Sequence, residues 1–151
     1  MSITGQSLSA DGIRAYIQAK KDEEEAKRRA HEAEQRTEQE KFHQTFMEQE
    51  IRPEAMDRIA AMIRKAVDMG ERQVMLGKFP SAWLSDQGRA VTNHAPNWPE
   101  TLDGVARRAY VFFQRELEPK GFQMRAEIVD WPGGMPGDVG LFLTWKRPDE
   151  D

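Results

Sequence analysis

The chain contains no cysteine. Disulfides and thiolate chemistry are therefore excluded, a disulfide-stapled secreted scaffold with them, and a reducing cytoplasm is compatible. No apolar run approaches the ~20 residues needed to cross a bilayer. The opening residues Met1-Ser2-Ile3-Thr4-Gly5 have neither a basic n-region nor an apolar stretch, so they do not read as a signal peptide. Gly is missing at position 2, where myristoylation would need it. An excess of basic charge is also missing. Residues 1–52 carry nine Lys/Arg against eleven Asp/Glu, and residues 53–151 carry thirteen against fifteen. That balance argues against non-specific binding to nucleic acid or to an anionic membrane.

Two further absences divide the chain. Residues 1–52 contain no Trp and no Pro, whereas all four Trp and all eight Pro lie in residues 53–151. The reading is an extended charged helical arm over residues 1–52 and a compact domain over residues 53–151. From Gln18 to Lys41 the only apolar residues are four alanines in a run of good helix formers. Glu23–Lys27, Glu24–Arg28, Glu25–Arg29 and Glu32–Arg36 are i,i+4 pairs with Glu on the favourable N-terminal side. Ser9 or Asp11 can cap the start, and the helix is predicted from about residue 11 to about residue 51. A heptad-like seam exists, but it is mostly Ala with two Glu, which is poor material for a coiled coil on its own. Ile13, Tyr16 and Ile17 form an apolar patch near the tip, suited to contact with a partner. Phe42, Phe46 and Ile51 form another, expected to pack on the domain. Glu40 and His43 have a spacing used in metal bundles, but a lone copy reads as surface chemistry. No metal and no cofactor is predicted.

In the second part, Pro53 breaks the helix. Met56, Ile59, Ala60, Ile63, Ala66 and Val67 then recur at helical spacing, up to a stop at Gly70. Residues 72–79 read as a first strand. A further helix is predicted from about Asn97, with Asn97 as N-cap, and stops at Pro119 and Gly121. Residues 122–131 and 139–146 alternate as strands joined by the Gly- and Pro-rich segment 132–138. The order helix-strand-helix-strand-strand implies an α+β two-layer α/β sandwich. A right-handed crossover makes the first two strands parallel, hence a three-stranded mixed sheet with a free edge. The order resembles several small RNA-binding and ribosome-associated α/β folds in topology only.

Parallel first and second strands would bring residues 80–97 and 132–138 together at one end of the sheet, the usual ligand position in α/β folds. Trp83, Arg89, His94, Trp98, Trp131, Met135 and Asp138 are the candidate binding residues there. Trp83 and Trp98 read first as anchors of the long connection. If the protein is an enzyme, Asp86, Arg89, His94 and Asp130 are the candidates for acid–base chemistry, although none sits at a diagnostic spacing. The glycines of 133–137 fit turns and do not form a P-loop, and Gly77-Lys78 is no Walker motif. Arg107, Arg108 and Arg115 form a small basic strip diluted by Glu116 and Glu118. The expectation is a cytoplasmic, non-enzymatic interaction or adaptor protein, binding a protein partner or a second copy of itself. The alternatives are a small enzyme or anion-binding domain using the sheet end, or an RNA-associated factor.

Overall fold

The computed structural model describes residues 4–5 and 8–146. By its internal contacts the chain forms two compact units, Met1–Gln44 and Thr45–Asp151. The first unit holds most of helix α1, which spans Ala10–Glu48. Ser9 caps it, its hydroxyl oxygen accepting from the Gly12 amide at 2.9 Å. Glu23–Lys27 and Glu25–Arg29 pair at 3.3 and 3.1 Å, while Arg28 sits between Glu25 and Glu32 rather than on Glu24. All these groups are well exposed, so each pair contributes only a few tenths of a kcal/mol, roughly 0.2–0.5. This stretch has no core of its own. Among the described residues its large apolar side chains are Leu8, Ile13, Tyr16, Ile17 and Phe42, none of them buried.

The second unit takes in the last turn of α1. Phe46 is buried there among Phe79, Leu84, Leu102 and Leu141, whereas Phe42 is exposed. Beyond the break at Pro53, helix α2 spans Ala55–Asp68. Gly70, at φ 79°, closes it with a Schellman arrangement: the Glu71 amide donates to Ala66 O and the Gly70 amide to Val67 O. Strand β1 is Gln73–Pro80, β2 is Gln123–Ile128 and β3 is Asp138–Thr144. Between β1 and β2 the chain makes a single helical turn α3, Arg89–Thr92, and helix α4, Gly104–Glu116.

The sheet order is β1-β3-β2 and both pairings are antiparallel. The α+β class stands, but the sheet is not mixed. β1 and β2 do run in the same direction, as a crossover through α4 requires, yet β3 lies between them. The hairpin from β2 to β3 inserts its second strand into the gap, so no two parallel strands share a ladder. Both β1 and β2 are consequently edges. β1 carries an irregularity between Met75 and Gly77, a common protection of an edge against unwanted pairing.

Two local expectations fail for identifiable reasons. Residues 98–101 are a separate 3₁₀ turn and Leu102 is extended; α4 starts only at Gly104, with Asp103 as N-cap. Residues 90–92, where the sequence also allows a short strand, belong to α3, because the Asp86 carboxylate accepts from the amides of Gly88 and Ala90 at 2.9 and 2.8 Å and nucleates the turn. Gly104 has φ 56°. A Cβ there would stand 2.6 Å from the Phe46 carbonyl oxygen, so glycine lets α4 begin against the end of α1. Arg108 completes this junction by donating to the carbonyls of Met47 and Gln49 at 2.8 and 2.9 Å. These carbonyls at the end of α1 would otherwise lack partners.

One face of the sheet is covered. Val74, Phe79, Ala126, Val139, Leu141 and Leu143 are buried under the helices. Burying a side chain of Val, Leu or Phe size contributes about 1.5–3 kcal/mol each. Among the described residues no buried side-chain polar atom lacks a hydrogen-bond partner.

Candidate functional site

The end of the sheet where β1 and β2 finish is built from two segments. Pro80 pairs with Asp138 in the ladder. The chain then turns at Ser81, whose amide donates to Gly137 O at 3.0 Å and whose hydroxyl donates to Pro136 O at 3.4 Å. The connection after β1 and the loop before β3 are thus joined directly, as the common direction of β1 and β2 dictates. The Ser85 amide donates to Thr101 O and closes the connection on itself.

The loop between β2 and β3 has a rigid base. The Asp130 carboxylate accepts from the Asp138 amide at 2.6 Å, while the Gly137 amide donates to Asp130 O. A Cβ on Gly137 would run into the Asp130 carboxylate and the Pro132 ring. Only glycine fits there. Above this base the loop carries Trp131, 52% exposed, and Met135, 68% exposed.

The candidate residues separate into structural and presented groups. Asp86 and Asp130 are occupied by backbone amides, as above. Trp83 is half-buried with its ring centroid 4.9 Å from that of Phe46, and Trp98 is half-buried with its ring edge-on to Tyr110 at 5.7 Å. Arg89 is exposed on α3. His94 is exposed in a left-handed backbone conformation, φ 52°, just after that turn. Its side chain makes no hydrogen bond or ion pair with Asp86, Asp130 or Asp138. Asp138 is half-buried at the start of β3. Among the described residues no group of three or more His, Asp or Glu could hold a metal ion. On α1, Ile13 and Ile17 are exposed, and Tyr16 is half-buried with the Lys20 ammonium over its ring at 5.7 Å.

The basic strip on α4 is divided by its neighbours. Arg108 is committed to the end of α1, with Glu50 also 3.7 Å away. Arg115 pairs with Glu116 at 3.0 Å and lies over the Phe112 ring.

A second group of presented residues lies on the uncovered face of the sheet. Met75, Phe142 and Arg125 stand opposite one another across the three strands. Directly paired residues share a face and alternate with their neighbours, so this row points away from Val74, Leu143 and Met124. Gly140 lies beside them. A Cβ at Gly140 would meet Val129, Phe142 and Met75 at 2.7, 3.0 and 3.2 Å. These three side chains therefore close over a glycine floor. Met75 and Val129 are each about two-fifths exposed, at 41% and 40%. The Arg125 guanidinium lies over the Phe142 ring at 5.3 Å, donates to Gln73 at 2.7 Å and pairs with Glu127 at 3.3 Å. Sequence reasoning passed over Met75, Val129 and Phe142. The available signal was a Met and a Phe at outward positions of alternating strands, where a polar residue is the rule for a solvated face.

Comparison of the chain with family models, with curated proteins and with solved structures finds no match. Among the described residues no helix is long and apolar enough to cross a membrane.

Proposed function

We propose that the protein is a non-enzymatic interaction module whose second unit holds a protein partner on the uncovered face of its sheet. The observation that carries this reading is the apolar row Met75–Phe142–Val129 over Gly140, continued in sequence by Trp131 and Met135 on a stiff loop. Aromatic residues and Met are enriched at protein interfaces, and a contiguous exposed apolar patch marks such a site more often than scattered apolar residues do. Arg125 and Lys78 give the patch a polar rim. The loop needs no reorganisation to present its two side chains, which lowers the entropy lost on binding.

The charged helix of the first unit belongs to the same reading as an arm for docking or self-association, with Ile13, Tyr16 and Ile17 as its contact patch. A cytoplasmic location is compatible with the lack of cysteine.

The test places a photo-crosslinking amino acid at position 135 of the full chain, and at position 61 on exposed α2 as control. Discrete crosslinked species from position 135 alone are expected, lost on Phe142→Ser. Equal crosslinking from both positions, or none from 135, overturns the reading. Light scattering on the full chain then reports whether the partner is a second copy.

A further inference from the structure

The covered side of the sheet is not filled everywhere. A cleft of about 300 Å³ lies in the second unit, with α2, α4 and β1 around it. Ile59 and Met62 of α2, Ala109 and Phe112 of α4, and Leu76 of β1 line it. Gly77 lies in its floor, beside the irregularity in β1, and a Cβ there would meet nothing within 4 Å. The most amphipathic helix of the chain therefore stands over a gap: in α2 only Ala66 is buried.

The charges around the cleft are one-sided. Arg52 and Arg58 line it, both exposed, and their side chains form no ion pair or hydrogen bond among the described residues. The one anion, Glu50, faces Arg108 at 3.7 Å. This is a local excess of positive charge in a chain of net charge −4. An apolar void with a cationic mouth suits a molecule that is apolar at one end and anionic at the other. The volume stands at the small end of ligand pockets, roughly 300–1,000 Å³, so it accommodates one aliphatic chain and not two.

We propose that this cleft binds a single-chain fatty carboxylate, with the chain over Gly77 between α2 and the sheet and the carboxylate against Arg52 and Arg58. Guanidinium groups match a carboxylate with paired hydrogen bonds, which an ammonium does not. The site is separate from the uncovered sheet face, so it stands or falls independently of the interaction reading.

Calorimetric titration of the full chain with sodium decanoate, below its micelle concentration, tests the proposal. One saturable site is expected, tightening about fourfold per added methylene from hexanoate until the cleft is full. The surface double variant Arg52→Gln/Arg58→Gln should weaken decanoate about tenfold or more while leaving decanol unchanged. Gly77→Val, which fills the floor, should abolish both while the fluorescence of the tryptophans still reports a folded domain. Decyltrimethylammonium binding as well as decanoate does would overturn the assignment, as would absence of any saturable binding. A concentration-dependent dimer dissolved by Met62→Glu, without decanoate binding, would assign the cleft to a second copy instead and equally overturn it.

Discussion

The two faces of the three-stranded sheet are made by alternate residues of the same strands, and both contain large apolar side chains. Leu143 is wholly buried, while Phe142, one residue before it, shares an uncovered face with Met75 and Arg125. Hydrophobicity alone does not distinguish them. What distinguishes them is the supply of helices: α2 and α4 cover one side, and among the described residues no core cluster forms on the other. Folding accounts for the covered face, and the interaction reading proposed above is what would account for the other.

This contrast can be broken by deletion. Leu143→Ala should lower stability by about 3 kcal/mol, and Phe142→Ala by about 1 kcal/mol. Urea denaturation followed by tryptophan fluorescence checks both, since all four Trp lie in the second unit. Equal losses would mean that the two faces are energetically alike. Addition sharpens the same contrast. Gly104→Ala places a methyl against the Phe46 carbonyl at a positive φ and should cost about 2–3 kcal/mol. Gly140→Ala meets only side-chain atoms and should cost no more than about 1 kcal/mol, measured the same way.

Smaller effects separate stability from presentation. Asp130→Ala removes the acceptor of the Asp138 amide and should cost about 1 kcal/mol. It should also raise amide exchange at Gly137 and Asp138, read by mass spectrometry, while leaving β1 protected. Smallest of all, Met135→Ser should change stability by less than about 0.5 kcal/mol yet weaken crosslinking from position 131. A large stability loss from Met135→Ser would place that side chain in the fold rather than on display.

Much of the fold could be read from periodicity. The apolar spacing of α2, the alternation of β2 and the stop at Gly70 are local signals, and each produced its element. Strand order is not a local signal. Nothing in residues 138–144 says that they enter between the other two strands, because an alternating pattern serves an edge and a centre equally. The start of α4 was missed for a similar reason: Asn97 and Glu100 have the spacing of a cap, but Gly104 and Asp103 are selected by the approach of Phe46 from far along the chain. The meeting of Ser81 with Gly137 was legible from strand direction alone. The uncovered face was half legible, since Gln123, Arg125 and Glu127 marked the outward side of β2, but Met75 and Phe142 join that side only once the register is known.

The central position of β3 also has a consequence in time. During synthesis β1 and β2 emerge first, and neither has a neighbour to bond until residues 138–144 follow. Gln73 and Gln123 both await Thr144. The sheet therefore closes in one late event that draws distant segments together, a topology associated with slow folding. A nascent chain halted before Asp138 would hold the helices α1, α2 and α4 and two unpaired strands, the state in which a chaperone would find the most to bind.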